Sequence, residues 1–472
     1  MENYKLDIND GSQHDRQVFV AAQNAWNDWS ELRSKRRRNK DFTYGSQWGD
    51  VVLDSDGRKC TEYQHLLENG HEPLTNNVIR RLVRSVVGRF RNTIAGQEEH
   101  RDLIDELDSR ALEEFLISGC CVQRIGIGND GQPQVENLNV NRFFSNVMED
   151  VHCRDCKIVG YLHDLNVGEL IRRLACGDRP RASLIRKIYS SIEPSVCGLP
   201  AVGADAENGG DFFTANHGQV RAIEVWTLEL NEVLECHDRA VAQLYTCGIA
   251  MQHDIDGENA RRQARGIPII DARWDIEEMW HCRWYAPDGH CLAHYTSPYG
   301  HGSHPFAIKL YPLTDGEVHS FVEDVIDQQK YINRLITLID RVMGASAKGV
   351  LLFPDAALPE GFTWNDLKRI WRSTDGILPY SEGCCAHLPQ QVSTNNTGIG
   401  AFELLSLQMR LIEEISGMGS VLQGNNNGTR QGAQLYERQV ENATIALSDI
   451  FETFNTFRRY RDQKLRTTLL LG

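Results

Sequence analysis

Two cysteines have the spacing of half a zinc site. Cys153 and Cys156 are separated by two residues, and His152 precedes them. A second half could come from His281 and Cys282 or from Cys291, but a closed zinc site normally joins two short-spaced halves, and the sequence offers one. The thirteen cysteines are scattered along the chain, as expected of thiols in a protein that stays in a reducing compartment. We therefore predict no bound metal or cofactor and keep Cys153 and Cys156 as a weak candidate.

One run of carboxylates could serve metal-dependent chemistry, which needs several of them close together. Asp102, Asp105, Glu106 and Asp108 lie within seven residues, although the simplest role of such a run is to solvate a charged helix. The sequence contains no Gly-x-x-x-x-Gly-Lys-Ser/Thr phosphate loop and no Gly-x-Ser-x-Gly nucleophile motif. These observations argue against an enzyme, and a metal-dependent nucleic-acid enzyme is kept as the weaker alternative.

Composition limits the class of protein further. The chain has 472 residues, of which 41% are hydrophobic and 8% aromatic, with a net charge of −15. These values indicate two or three folded regions and argue against a protein that coats DNA phosphates with basic side chains. No apolar run approaches the roughly 20 residues of a membrane helix, and the polar N-terminus is unlike a secretory signal. We expect assembly in the cytoplasm where the chain is made.

The first two thirds of the sequence alternate between helical and strand-like patterns. A helix over 13–38 ends in the basic run 33–38, which could contact nucleic acid or form a solvated helix end. Asn76 and Asn77 can cap a second helix, and Asn129-Asp130-Gly131 predicts a hairpin turn. Residues 195–219 have the composition of a surface loop, and 236–268 are expected to be partly helical. The other predictions are a helix over 101–118, strands over 121–127, 135–140, 156–164 and 220–230, a helix over 167–175, and one or two strands over 275–286.

The last third has longer helices. Apolar residues from Val318 to Met343 recur mostly every three or four positions, which predicts a helix of about 39 Å. A strand-like run over 349–353 and a mixed segment follow, and then a second helix over 401–416. A Gly- and Asn-rich loop, Gly424 to Gly428, precedes a long final helix over 431–469.

This order of elements resembles the portal proteins of short-tailed bacteriophages. Four stretches carry the resemblance, which covers roughly 15–470. The first is Gln47-Trp48 followed by the helix containing 80–90, and the second is the strand after Gly119 with 141–150 and the strand around Tyr161. The remaining two are His304-Pro305-Phe306 leading to a long helix with Gln329 and Asn333, and Ile415-Ser416-Gly417 before the polar loop and final helix.

The resemblance implies an α+β portal fold with an α/β wing, long stem helices, a small clip and a long C-terminal helix. It divides the chain into the N-terminal region and wing (1–310), the first stem helix (311–347), the clip (348–398), the second stem helix (399–416), the tunnel loop (417–430) and the long wing helix (431–472). Related portals usually continue past the long helix into a crown, whereas this sequence stops at Gly472, soon after the predicted helix. We therefore expect the crown to be absent or truncated.

The function implied is structural. Family members form rings, typically of twelve subunits, at one capsid vertex of the virion, and double-stranded DNA passes through during packaging and ejection. The implied partners are the major capsid protein, the terminase packaging motor and the tail adaptor, and the alternative from a related class is the head-to-tail adaptor itself. The implied tunnel-loop residues are Gly424, Asn425, Asn426, Asn427, Thr429 and Arg430. The acidic stem residues that could repel phosphate, or instead pair with Arg334, Arg341 and Arg410 of a neighbouring subunit, include Glu323, Asp324, Asp327, Glu413 and Glu414.

Overall fold

The computed structural model describes residues 13–54, 56–68, 72–95, 102–127, 133–191, 211–215, 219–346, 350–354, 358, 361–372, 390–392, 398–417 and 433–469. The helices are α1 (Gln13–Asp28), α2 (Ser30–Tyr44), α3 (Glu62–Glu68), α4 (Val78–Ala95), α5 (Asp102–Ser118), α6 (Val167–Leu174), α7 (Arg179–Ser191), α8 (Gln252–Ala264), α9 (Ile326–Ser346), α10 (Trp364–Arg372), α11 (Gly398–Ile415) and α12 (Ala433–Leu469). The strands are β1 (Val51–Leu53), β2 (Lys59–Thr61), β3 (Cys120–Ile127), β4 (Pro133–Asn137), β5 (Phe143–Ser145), β6 (Ile158–Leu165), β7 (Val220–Asp238), β8 (Gln243–Gly248), β9 (Ile270–Tyr285), β10 (Cys291–Thr296), β11 (Phe306–Leu310), β12 (Pro312–Thr314), β13 (Glu317–Val318), β14 (Val350–Leu352) and β15 (Gln390–Val392). The chain is therefore a mixture of helices and sheets, as the α+β prediction requires.

The chain divides into two compact units. The first contains residues 1–43, 82–324 and 428–472, and the second contains 44–81 and 325–427. The sequence-based division had grouped 44–81 with the wing. In the structure this early segment instead packs with α9, through contacts between residues more than 200 positions apart that no local pattern reveals.

The first unit is built on a six-stranded antiparallel sheet. Its strand order is β10-β9-β7-β6-β5, and β8 pairs with the far end of β7. A separate three-stranded antiparallel sheet has the order β11-β3-β4. The hairpin predicted on either side of Asn129-Asp130-Gly131 is confirmed by the pairing of β3 with β4, while the turn itself lies outside the described residues.

Alternation along β7 places apolar side chains on both faces of the large sheet. Ala222 and Trp226 join the core that also contains β3 and β11 residues, whereas Ile223 and Val225 join the core formed with α1. The strand predicted over 220–230 is confirmed, and its side chains alternate between the two cores. A strand buried on both faces in this way is held between two layers.

The predicted helix over 13–38 is two helices, α1 and α2, which meet at Trp29. The basic run 33–38 lies in the middle of α2, where it is neither exposed throughout nor part of a continuous basic face. Arg33 is buried, donates to the Trp26 carbonyl at 2.5 Å and lies over the Trp26 ring. Arg36 is also buried and forms a two-point ion pair with Glu114, at 2.5 and 2.8 Å. These two arginines therefore hold the fold together, a role that neither interpretation of the basic run, nucleic-acid contact or a solvated helix end, predicted.

The predicted start of the first stem helix is wrong. The helix begins at Ile326 and not at Val318, because Val318 pairs with Pro312 in the β12–β13 hairpin. The Val322 N–H donates to the Leu116 carbonyl at 3.1 Å, so this residue is held by another segment. Phe321 and Val322 are buried. Their spacing from the apolar residues of α9 is helical, but the segment that carries them is not a helix.

The predicted strands are shorter than the observed ones, since β7 was predicted over 220–230 and continues to Asp238, and β9 was predicted from 275 and begins at Ile270. β9 is exposed from Ala272 to Glu278, although Ala272, Trp274 and Ile276 alternate with polar residues. Residues 236–268 contain the expected helix, α8, but also β8 and the end of β7. Most of the predicted loop over 195–219 lies outside the described residues.

A carboxylate in the middle of β7 is completely buried. Glu224 accepts hydrogen bonds from both terminal nitrogens of Arg124, at 2.6 and 2.8 Å, and from the Trp226 indole at 2.9 Å. His163 Nε2 lies 2.7 Å from the same carboxylate and must be the donor, since the carboxylate carries no proton. Burial alone would raise the pKa of Glu224, but Arg124 and His163 outweigh it and hold the pKa well below its ordinary value. The pair joins β7 to β3 across the core.

Replacing this carboxylate should destabilise the first unit. Glu224→Gln leaves the buried Arg124 charge without its partner, so the free energy of unfolding should fall by roughly 3–5 kcal/mol. Glu232→Gln, on the exposed side of the same strand, should change it by less than about 0.5 kcal/mol. The stabilisation by Glu224 is complete above pH 4.5, its ordinary pKa, and is lost as the pH falls towards the lower folded value. Urea unfolding of the three proteins at several pH values measures both effects, and equal stability of the two variants at pH 7 would refute this role.

Candidate functional site

The second unit contains two long helices in contact, α9 and α11. The strands β14 and β15 pair antiparallel, and they follow α9 and precede α11 respectively. The end of α9 and the start of α11 are therefore close together, so the chain runs out along one helix and returns along the other. At 1.5 Å per residue the helices are about 31 and 27 Å long. The two helices predicted separately in the last third of the sequence are therefore antiparallel neighbours.

A buried amide side chain of α9 caps the start of α4. Gln329 Oε1 accepts hydrogen bonds from the N–H groups of Val78 and Ile79, at 2.9 and 3.2 Å. Its Nε2 donates to the Asn76 carbonyl at 2.7 Å and to Asn333 Oδ1 at 3.0 Å. The first N–H groups of a helix have no partner within the helix, so Gln329 does from a distance what a capping residue does locally. Asn77, which was predicted as a cap from the sequence, also accepts from Arg80 N at 3.0 Å.

The amide cluster continues from Asn333 to Gln47. Asn333 Nδ2 donates to Gln47 Oε1 at 2.6 Å, and Asn333 Oδ1 accepts from Asn76 N at 3.0 Å. Gln47, Gln329 and Asn333 are at most 2% exposed. The Gln47-Trp48 stretch and the Gln329–Asn333 stretch were singled out in the sequence separately, and the structure brings them together. We refer to Gln47, Asn76, Gln329 and Asn333 as the amide cluster.

Two ion pairs flank the amide cluster along α9. Lys330 Nζ lies 2.6 Å from Asp50 Oδ2, and Arg334 Nε lies 2.6 Å from Glu62 Oε1. Arg334 was considered as a partner for stem carboxylates of a neighbouring subunit, and the structure gives it a partner in its own chain. Lys330 was missed altogether. The only sequence signal was a pair of basic residues one helical turn apart, and the acidic partners lie more than 270 positions earlier.

The acidic residues predicted for the stem divide into exposed and engaged groups. Asp324, Asp327 and Glu414 are exposed. Glu413 is half-buried, and Arg81 lies 3.7 Å from its carboxylate. Partial burial raises the pKa of Glu413 despite that neighbour. Glu323 is half-buried and accepts from Ser320 N at 3.4 Å. Exposed carboxylates at these positions can repel phosphate, whereas the engaged ones hold local structure.

The predicted tunnel-loop residues Gly424, Asn425, Asn426, Asn427, Thr429 and Arg430 lie outside the described residues.

The helix α11 carries apolar side chains on an exposed face. Leu404, Leu407, Leu411 and Ile415 recur at intervals of three or four residues, so they lie along one side of the helix. Leu404, Leu407 and Ile415 are 43%, 49% and 46% exposed, and Leu411 is half-buried. We refer to these four residues as the α11 apolar stripe. A contiguous exposed apolar surface of this kind usually marks a protein interface.

The structure describes residues of both candidate chemical sites from the sequence. Asp108, in the carboxylate run, is buried and bound by Arg461 and by Arg458 Nε, the latter at 2.7 Å. Two guanidinium groups neutralise it, so it is not available to hold a cation. Burial raises the pKa of Cys153 to about 11 and that of Cys156 to about 12, so both are thiols. Within the described ranges no group of three metal-ligating side chains comes together.

No protein-family model matches the chain, and no curated protein matches it significantly. None of the helices in the described part of the chain is both long enough and apolar enough to span a membrane.

Removing the amide of Gln329 should weaken the second unit. Gln329→Ala leaves two N–H groups of α4 and the Asn76 carbonyl without this partner, at a cost of roughly 2–4 kcal/mol. Hydrogen exchange at the start of α4, followed by mass spectrometry, should become faster. Gln328→Ala is the matched control, because Gln328 Oε1 has no hydrogen-bond partner within the described residues. If exchange in α4 is equally slow in both variants, Gln329 does not cap the helix.

Proposed function

We propose that this chain is a portal subunit, which assembles with copies of itself into a ring that conducts double-stranded DNA through one vertex of a phage capsid. The observation that carries the proposal is the antiparallel pair α9 and α11 together with the exposed α11 apolar stripe. The four-stretch resemblance in the sequence supports the same conclusion.

Ring assembly accounts for side chains that a single chain leaves in water. The α11 apolar stripe is one such surface, and Tyr331 and Leu338, seven residues apart on α9, are 42% and 46% exposed. Contact between two different surfaces of identical subunits is heterologous, and it closes into a ring when the rotation between neighbours divides a full turn. Burial of these side chains between neighbouring subunits would remove apolar surface from water and so favour assembly.

Electrostatic repulsion would let DNA slide rather than bind. The chain carries a net charge of −15, and Asp327, Asp340, Glu403 and Glu414 are exposed on the two helices. Carboxylates that face a duplex repel its phosphates, and a low-dielectric wall strengthens the effect. In this proposal Asn425 to Asn427 and Arg430, which lie between α11 and α12 in the sequence, contact the DNA weakly.

The remaining assignments follow from the portal proposal. The clip, 348–398, would face the terminase packaging motor and later the tail adaptor, and the wing would contact the major capsid protein in the virion. Twelve subunits is the number that the resemblance implies. No covalent chemistry is assigned to the chain, and the neutralised Asp108 weighs against the metal-dependent enzyme. A head-to-tail adaptor is the rival structural role, but adaptors are usually much shorter and lack a central pair of long helices.

A charge placed on the α11 apolar stripe tests the ring interface. Leu407→Glu should abolish or greatly reduce ring assembly, because it would bury a carboxylate between apolar neighbours. Ser406→Glu adds the same charge to the same helix at an adjacent exposed position and should leave assembly unchanged. Mass photometry of both variants gives the distribution of oligomers, and circular dichroism verifies that both fold.

The two variants should also differ in a packaging assay, with DNA-filled heads formed by Ser406→Glu and not by Leu407→Glu. Rings of normal mass from Leu407→Glu would show that the stripe is not an interface. If both variants fail to form rings, an added charge anywhere on this face of α11 prevents assembly. That result would contradict the placement of Ser406 outside the ring interface.

A further inference from the structure

The distal parts of β7, β8 and β9 form an extension with a small core of its own. We refer to residues 230–279 as the β-arm. Its core consists of Leu234, Cys236, Ile255 and Ile270, with Tyr245 and Cys247 packed against them. Beyond this core, Leu230, Trp274 and Ile276 are 69%, 56% and 46% exposed. A three-stranded sheet with so few buried side chains gains little from packing, and small cores of this size commonly need a covalent staple.

Two of the residues in this core are cysteines on neighbouring strands. Cys236 on β7 lies opposite Tyr245, and Cys247 on β8 lies opposite Leu234, so the two cysteines are diagonal neighbours. Their Sγ atoms are 3.7 Å apart. A disulfide requires about 2.05 Å, so the two sulfurs are already in contact and would have to approach further, by movement of the side chains and of the edge strand, for the bond to form. Both are free thiols in this structure.

We propose that Cys236 and Cys247 are a reversible modification site, where an intramolecular disulfide forms under oxidising conditions and fastens the edge strand β8 to β7. The proposal rests on the sulfur geometry and on the small core of the β-arm, and it holds whether or not the chain is a portal subunit.

The co-reactant is a small-molecule disulfide of the glutathione type. Cys247 is half-buried and Cys236 is 1% exposed, so the Cys247 thiolate is the first attacker. It bonds to one sulfur of the small disulfide and releases the other as a thiolate. The Cys236 thiolate then attacks the Cys247 sulfur of the mixed disulfide and releases the second small thiolate. The balance is two protein thiols and one small disulfide giving one protein disulfide and two small thiols.

The order of attack is consistent with the surroundings of Cys236. Burial raises the pKa of the Cys236 thiol, with a further contribution from the neighbouring Cys247. A thiol of this kind is a poor first nucleophile towards a reagent in solution. Once Cys247 carries the mixed disulfide, proximity replaces diffusion and the second step becomes intramolecular.

The disulfide would change the dynamics of the β-arm more than its shape. It would close a short loop that contains the turn between β7 and β8, and such a closure restricts the opened states of the hairpin. Strand β8 pairs with β7 on one side and with no other strand in the described part of the chain. An edge strand held by one ladder opens easily, and the disulfide would close that route while the chain is in an oxidising environment.

Peptide mapping of the full-length protein in glutathione buffers of increasing oxidising strength tests the site. Trypsin cleaves after Arg239, so the disulfide would link the peptide 222–239 to the peptide 240–261. We expect this linked pair in oxidising buffer, its loss after reduction, and amide exchange in β8 at least about tenfold slower in the oxidised protein. Cys176 is exposed and should acquire glutathione in the same buffer, which verifies that the oxidant is active.

Cys247→Ser should abolish the linked pair and the slower exchange, whereas Cys153→Ser should leave both unchanged. Circular dichroism verifies that the variants fold. If a variant does not fold, the peptide mapping of the unaltered protein still shows whether the disulfide forms. The proposal is overturned if Cys236 and Cys247 both remain free while Cys176 is modified. It is equally overturned if Cys247 links to a second copy of the chain, seen as a dimer on a non-reducing gel.

Discussion

The second unit depends on the capping of α4 by Gln329. A buried glutamine is costly unless all its polar atoms have partners, and here its two donors and two acceptor positions are used. The same hydrogen bonds attach the segment that begins at Tyr44 to a helix that begins at Ile326. Lys330 and Arg334 then form ion pairs with that segment from the same helix. One face of α9 therefore contacts other segments of the same chain. The exposed residues of α9 remain available for contacts with other molecules.

The buried carboxylates of the first unit are fully paired with basic side chains, whereas a catalytic carboxylate must remain available to a substrate or cation. Glu224 is matched by Arg124 and His163, and Asp108 by Arg458 and Arg461. Ion pairs of this kind cost desolvation energy and are destabilising when one partner is removed. The fixed geometry of these ion pairs specifies how the core elements pack. The paired carboxylates are also unavailable to bind a cation. The surfaces that can act are therefore the exposed ones, namely the α11 apolar stripe, the acidic side chains of α9 and α11, and the β-arm.

The sequence predicted those elements whose own periodicity reveals them. The helices α5, α11 and α12 lie close to their predicted bounds, and the strand predicted over 220–230 forms the first part of β7. Prediction failed where a distant segment decides the structure. Val318 to Val322 have helical spacing but are held by the β12–β13 hairpin and by Leu116, and β7 continues to Asp238 because its distal half pairs with β8 and β9. Of the candidate site, Gln47, Gln329 and Asn333 were noticed as separate stretches, and only the fold shows that they form one cluster.

In the proposed assembly, copies of this chain close into a ring around a channel, with the paired helices at the interface between neighbours. Electron microscopy of the purified full-length protein distinguishes this assembly from other oligomers. We expect class averages of closed rings with a central hole wide enough for a DNA duplex, and a uniform subunit number. Monomers and dimers alone at high protein concentration, or compact particles without a hole, would contradict it.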